Sequence, residues 1–196
     1  KFHNNQLDVE SMNLLYNCTD AQILLTDNEG FGLSLLEAIL CGKPIIANQQ
    51  GGMQDQMRFE DEEGNWLNFT KDFPSNHRGT YKKHGEWAFP VLPSNISIQG
   101  SPQTPYISSD RCRPEDATER ILEVYNLGSE ERKRRGLKGR EWACSKEAGM
   151  TSEVQAERVI ESIDILFGTW KKRESFELIN ATEFKPTVSV EHPLIY

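Results

Sequence analysis

The sequence predicts an α/β fold with a parallel sheet, because two short apolar segments flank a segment with helical periodicity. Residues 21–26, Ala-Gln-Ile-Leu-Leu-Thr, form an apolar run followed by Asp-Asn, as expected of a buried strand that leads into a loop. Residues 44–47, Pro-Ile-Ile-Ala, are short, apolar and β-branched, and predict a second buried strand. A strand, a helix and a second strand in this order favour parallel pairing, with the helix as the crossover.

The helix between these strands is indicated by its apolar spacing and by its end. Apolar residues recur at helical intervals over residues 33–40, and Gly42 and Pro44 follow in the order expected of a helix end. The second strand ends near Gly51 and Gly52, where a backbone without Cβ atoms can approach a ligand closely.

The turn between the first strand and the helix has the features of an anion-binding site. Ligands of open parallel sheets bind beyond the carboxyl ends of the strands, where a helix N-terminus offers backbone N–H groups and partial positive charge. We expect the amides of Phe31, Gly32 and Leu33 to face the ligand. Glu37 lies about one turn into the helix and could accept hydrogen bonds from a vicinal diol such as ribose O2 and O3. Glu29 lies on the loop side of the turn. An anion-binding turn between two carboxylate acceptors fits a ligand with a diphosphate in the middle and hydroxyl groups at both ends, such as a sugar nucleotide.

Two other interpretations of this segment stay open at this point. It could be an ordinary strand–turn–helix junction, with Glu37 on the helix surface and Glu29 solvated in the loop. A dinucleotide-binding oxidoreductase is a further alternative, although Gly-Phe-Gly lacks the third glycine of that fingerprint. In addition, the first carboxylate precedes the turn instead of ending the next strand.

A known family carries a similar segment. Residues 26–47, Thr-Asp-Asn-Glu-Gly-Phe-Gly-Leu-Ser-Leu-Leu-Glu-Ala-Ile-Leu-Cys-Gly-Lys-Pro-Ile-Ile-Ala, followed by Gly51 and Gly52, resemble the donor site of retaining glycosyltransferases. These are the enzymes with two Rossmann domains and a Glu-x7-Glu motif. The resemblance is specific over residues 12–52, and it is looser over residues 114–167, which are similar to the C-terminal helices of the family.

The resemblance implies a role for each residue of the motif. Glu29 would contact hydroxyl groups of the donor sugar and is the candidate catalytic residue. The amides from Phe31 to Leu33 would contact the diphosphate or the sugar, and Glu37 would bind the ribose. The predicted donor-binding set is Phe31, Gly32, Leu33, Glu37, Gly51 and Gly52.

The resemblance also implies an activity and a fold. We expect a Rossmann-like parallel sheet with helices on both faces, the C-terminal half of a GT-B type glycosyltransferase. It would transfer a sugar from a nucleotide-sugar to an unknown acceptor (saccharide, lipid or protein), with retention of configuration and without a metal or other cofactor.

The diphosphate-binding Arg and Lys of the family and its N-terminal Rossmann domain lie upstream of residue 1. We therefore expect this chain alone to be incomplete and to need that domain or a partner chain. A non-catalytic nucleotide-sugar-binding or assembly module is the alternative.

The predicted domain organisation is one nucleotide-sugar-binding domain over residues 1–168, with an insertion over about residues 60–113 and a tail or crossover segment over residues 169–196. The insertion is rich in proline and aromatic residues, which is typical of an elaborated loop. Within it, residues 87–92 and 96–98 read as strands, the first at a sheet edge because it contains proline. Its aromatic side chains predict a small satellite core, and stacking on sugar rings is the alternative.

Two helices are predicted near the C-terminus. Pro114 with the acids that follow it indicates a helix start, and the apolar face continues to Leu127. Ser152 and Gln155 fit a capping box. The apolar residues that follow, over residues 159–167, predict a stripe that packs against the core.

Composition excludes some functions. The net charge of −8 argues against a nucleic-acid-binding surface over the domain, because phosphate contacts need clustered Lys and Arg. No apolar run approaches the ~20 residues of a membrane span. The four cysteines lack metal-ligand spacing, so we expect reduced thiols in a cytoplasmic protein.

Overall fold

The computed structural model describes residues 7–67 and 79–172. The elements of this part of the chain, in order, are α1 (Val9–Asn17), β1 (Gln22–Leu24), α2 (Leu33–Leu40), β2 (Ile45–Asn48), α3 (Met53–Met57), β3 (Ala88–Val91), β4 (Asn95–Gln99), β5 (Ile107–Arg111), α4 (Pro114–Asn126), α5 (Gly128–Ala143) and α6 (Ser152–Thr169).

A three-stranded parallel sheet in the order β1-β2-β3 forms the centre of the fold. Gln22 pairs with Ile45, and Ile45 pairs in turn with Ala88. The carboxyl ends of all three strands therefore lie at one edge of the sheet. The predicted parallel α/β fold is confirmed, and β3, which contains Pro90, is an edge strand as predicted.

Helices cover both faces of this sheet. All four residues of β2 are buried, and alternate side chains enter two separate apolar clusters, because successive residues of a strand point to opposite faces. Ile45 and Ala47 pack with Leu35 and Ile39 of α2. Ile46 packs on the opposite face with Val124 of α4. The central strand, β2, is thus buried on both faces, which explains its continuous apolar sequence.

Several aromatic residues of the predicted insertion join the main core, whereas Tyr106 is 85% exposed. Trp87 is 5% exposed and stacks on Trp142, with ring centroids 5.1 Å apart, and Trp66 meets Trp142 edge-on at 5.5 Å. The prediction that these rings are core residues is confirmed for Trp66 and Trp87, but the predicted separate satellite core is wrong for them, because both belong to the main cluster. Phe69 and Phe73, which the prediction included, lie outside the described residues.

The insertion also contains a β-hairpin. β4 and β5 pair antiparallel, with Asn95 opposite Arg111 and Gln99 opposite Ile107. The sequence predicted a strand at β4 but not at β5. The reason is that Ile-Ser-Ser-Asp-Arg carries four polar residues in a row and lacks the alternation typical of a half-buried strand.

Of the predictions for the C-terminal helices, one is confirmed and two are wrong. α4 begins at Pro114 as predicted. α6 contains no buried residue among those described, so the predicted core stripe is wrong. Its start also differs from a capping box on Ser152, because Thr151 Oγ1 accepts the Val154 N–H at 3.4 Å.

The chain divides into two compact units after Ala156. The predicted domain boundary at residue 168 stays a prediction, and most of the predicted tail lies outside the described residues.

None of the helices in residues 7–67 and 79–172 is both long and apolar enough to cross a membrane.

Candidate functional site

The turn between β1 and α2 depends on a glycine. Gly32 precedes the first residue of α2 and has a φ of 84°, in the left-handed region that side chains with a Cβ rarely adopt. A Cβ at this position would lie 3.3 Å from the side chains of Leu24 and Met53, so the space around it is also filled. The predicted tight turn is therefore present at the carboxyl end of β1.

The Glu29 carboxylate accepts hydrogen bonds from backbone amides of this turn. Its Oε1 accepts the N–H of Gly32 at 3.2 Å and the N–H of Phe31 at 3.4 Å. These are two of the three amides that the sequence assigned to a ligand. A carboxylate is favoured there because the helix N-terminus carries partial positive charge. An anionic ligand that used the same amides would have to displace the Glu29 side chain.

Glu37 lies on the exposed surface of α2 and is held by a tyrosine. The hydroxyl of Tyr16 donates a hydrogen bond to Glu37 Oε2 at 2.6 Å. Tyr16 itself is buried at the end of α1, with 7% of its surface exposed. Burial, and then the bond to Glu37, raise the pKa of Tyr16 to about 12. The contact joins residues 21 positions apart, and no local signal in the sequence indicates it.

Gly51 and Gly52 pack against the backbone of the loop that joins β1 to α2, residues 25–32, called the motif loop below. A Cβ at Gly51 would collide with the carbonyl oxygen of Glu29, and a Cβ at Gly52 would collide with that of Gly30. The close approach that these glycines permit is thus between two segments of the chain. Their contact with a ligand stays a prediction.

A buried glutamine hydrogen-bonds to the backbone of the same loop. Gln56 is fully buried in α3, and its Nε2 donates to the carbonyl oxygens of Phe31 at 2.5 Å and Gly32 at 3.3 Å. Its own backbone oxygen accepts the indole N–H of Trp87 at 3.0 Å. Sequence reasoning missed Gln56. The signal that could have found it is an amide side chain between two apolar methionines, since a buried amide needs hydrogen-bond partners.

The hairpin of β4 and β5 is attached to the start of the motif loop through Asp27. The Asp110 N–H donates to the backbone oxygen of Asp27 at 2.9 Å, and Ser109 Oγ donates to its carboxylate at 2.7 Å. Arg111 Nε donates to the same carboxylate oxygen at 3.2 Å. The hydrogen bonds from Ser109 and Arg111 lower the pKa of Asp27. The insertion therefore reaches the site, which the sequence left undecided.

Asn48, at the end of β2, joins three segments at this point. It is fully buried, and its Nδ2 donates to the backbone oxygens of Thr26 at 3.0 Å and Asp110 at 2.6 Å. It thereby connects the sheet to the motif loop and to the hairpin. Sequence reasoning placed Asn48 in the connection after the second strand and gave it no role.

Replacing Asn48 should destabilise the chain. We expect Asn48→Ala to lower the free energy of unfolding by about 1–3 kcal/mol, because two carbonyl oxygens lose their donor. Denaturant unfolding measures the change. Asn126→Ala is the matched control, since Asn126 is exposed at the end of α4 and such a replacement should change stability by no more than about 0.5 kcal/mol. Equal stabilities for both variants would contradict the role of Asn48.

Two cavities adjoin this edge of the sheet. One of about 500 Å³ lies at the end of β3 between the insertion and α4, and neither Glu29 nor Glu37 lines it. A second of about 490 Å³ borders Phe31 and is lined largely by apolar side chains, among them Leu36 and Trp66. Within residues 7–67 and 79–172, no three His, Cys, Asp or Glu side chains are grouped so that they could hold a metal ion. Metal independence of the chemistry stays a prediction.

Comparison with protein families gives a match in the N-terminal part of the chain. Residues 1–72 match the family model described as Glycosyl transferases group 1. The matched part contains β1, α2, β2 and all residues of the predicted site. The match covers 72 of the 196 residues, so the similarity concerns the N-terminal part of the chain. No curated protein matches the chain.

Proposed function

We propose that this chain is the donor-binding half of a retaining glycosyltransferase of the GT-B type. The observation that carries the proposal is the placement of Glu29 and Glu37 on either side of the turn that opens α2, with Glu29 bound to the amides of Phe31 and Gly32. The family match over residues 1–72 supports the same function.

The contacts of Glu29 with the amides of Phe31 and Gly32 indicate how a donor would bind. The diphosphate of a sugar nucleotide would take the amides of Phe31 and Gly32, where partial positive charge favours an anion. Glu29 would leave those amides, and its carboxylate would then be available to hydroxyl groups of the donor sugar. Glu37, on the exposed face of α2, would accept hydrogen bonds from the ribose.

The same amides would assist the chemistry. Negative charge develops on the diphosphate as the bond to the sugar breaks, and preorganised N–H donors stabilise such charge without a metal ion. Retention of configuration would follow from attack on the face that the leaving group vacates. The acceptor, a saccharide, lipid or protein, would be positioned by the N-terminal Rossmann domain of the complete enzyme or by a partner chain.

Calorimetric titration tests donor binding directly. The chain is titrated with UDP, GDP and ADP sugars and with the corresponding nucleoside diphosphates. Saturable binding of one nucleotide series supports the proposal, and no binding of any contradicts it. Transfer is then measured with the product of the complete reading frame and labelled donor. Binding without any transfer by that product would favour the non-catalytic module.

Glu29→Gln should separate the sugar from the nucleotide. We expect the affinity for the sugar nucleotide to fall roughly tenfold, the effect of losing one hydrogen bond to a charged group. The affinity for the bare diphosphate should stay constant or rise, because a neutral side chain competes less with phosphate for the Phe31 and Gly32 amides. Calorimetry with both ligands measures the split. Glu10→Gln, on the exposed side of α1, is the control. Equal losses for both ligands would refute the assignment of Glu29.

A further inference from the structure

Tyr16 is placed differently from its neighbours on α1. Leu14 and Leu15 are 66% and 50% exposed, whereas Tyr16 is buried in the core cluster that contains Leu35 and Ile39 of α2. Its ring thus fixes the end of α1 against α2, and its hydroxyl reaches Glu37.

The bond between Tyr16 and Glu37 has the length of a strong hydrogen bond. At 2.6 Å between the two oxygens, it lies in the range of hydroxyl donors to ionised carboxylates. Among the described residues, Tyr16 is the side chain that hydrogen-bonds to Glu37. The pKa of Tyr16, raised to about 12 by burial and by the bond to Glu37, keeps the phenol protonated at neutral pH.

A glutamate on a helix surface normally samples several rotamers, and ordering it on binding costs conformational entropy. Tyr16 restricts this freedom before a ligand arrives. An ionised carboxylate has about four lone-pair positions, and Tyr16 uses one of them. The others stay available to a ligand on the exposed face of α2.

We propose that Tyr16 is a positioning residue that orients Glu37 for the ribose of the donor and so contributes to discrimination between ribose and deoxyribose. This inference rests on the proposed function, in which Glu37 accepts hydrogen bonds from the ribose. Tyr16 touches no ligand and acts through Glu37.

Tyr16→Phe tests the proposal, because it keeps the ring in the core and removes the hydroxyl. The ligands are whichever of UDP, GDP and ADP binds most tightly, and its 2′-deoxy counterpart. We expect the affinity for the ribonucleotide to fall roughly two- to tenfold, the effect of one hydrogen bond, and that for the deoxy compound, which keeps only O3 for Glu37, to fall by a smaller factor. A purely structural role would weaken both ligands equally. Tyr125→Phe, at an exposed position of α4, is the matched control.

A double-mutant cycle with Glu37→Ala separates the role of Tyr16 from that of Glu37. If Tyr16 acts through Glu37, Tyr16→Phe adds nothing once the Glu37 side chain is removed. If Glu37→Ala weakens binding and Tyr16→Phe does not, the role of Tyr16 is refuted and the ribose role of Glu37 stands. If Glu37→Ala leaves ribonucleotide binding unchanged, the ribose role fails and the inference fails with it.

A measurement on the unaltered ring covers the case in which Tyr16→Phe does not fold. The ring resonances of Tyr16, observed by NMR with labelled tyrosine, should shift when the ribonucleotide is added and shift less with the deoxy compound. Glu37→Gln should lower the pKa of Tyr16, because a neutral acceptor holds the phenol proton less strongly. Identical shifts with both ligands would overturn the proposal.

Discussion

Glu37→Ala should weaken binding of the nucleoside diphosphate about ten- to a hundredfold. The expected loss is about 1.5–3 kcal/mol, the range for hydrogen bonds to a charged group. The physical reason is the proposed contact between this carboxylate and the ribose. Calorimetric titration of the two chains measures the loss, and the sugar nucleotide should be weakened by the same factor, since the ribose belongs to both ligands.

The structure requires a control for this variant. Glu37→Ala leaves the partly buried hydroxyl of Tyr16 without its acceptor, which costs stability of about 1 kcal/mol. Unfolding must therefore be measured beside binding. Glu37→Gln keeps an oxygen that can accept from Tyr16, and it should recover most of the stability while binding stays weakened. Full affinity in both variants would remove the ribose role.

Gly52→Ala should damage the site through the backbone of the motif loop. Gly52 has ordinary helical dihedral angles, φ −70° and ψ −7°, so alanine adds no backbone strain. The added Cβ would overlap the carbonyl oxygen of Gly30 and lie 3.2 Å from Phe31 Cα. Because backbone atoms cannot move aside as a flexible side chain can, the loop must shift. We expect a stability loss of about 1–3 kcal/mol, as for other overpacked sites.

Nucleotide binding by Gly52→Ala should fall about tenfold or more, since displacement of the loop costs at least one hydrogen bond to the anion. Gly30→Ala is a close control in the same loop. A Cβ at Gly30 meets nothing within 4 Å, and Gly30 is not among the glycines with positive φ. It should therefore bind and unfold like the unaltered chain. Equal behaviour of the two variants would show that the contact between Gly52 and the loop does not support the site.

The fold at the centre of the chain could be predicted because its signals are local. The apolar strands, the helical spacing after Gly32 and the glycine and proline at the end of α2 each act within a few residues, and the structure confirms them. Pro90 marked an edge strand for a similar reason, since proline lacks the N–H that a second neighbour would need.

The local signals failed where burial depends on distant partners. The apolar spacing over residues 159–167 predicts a helix correctly, yet no residue of α6 is buried among those described. Periodicity identifies which side chains share a face, but not what covers that face. β5 was missed for the opposite reason, because its pairing with β4 and its contacts with Asp27 compensate for weak local preference.

The sequence by itself determined the strand–turn–helix unit, its glycines and the spacing of Glu29 and Glu37, because each rests on neighbouring residues or on a contiguous motif. The tertiary structure alone decided how the site is held. Tyr16 reaches Glu37 across 21 residues, Gln56 reaches Phe31 across 25, and Asn48 reaches Asp110 across 62. Such contacts form only when folding brings separate segments together, so no local pattern encodes them. For the same reason, only the structure shows that Glu29 accepts hydrogen bonds from the amides that we propose as donor-binding groups.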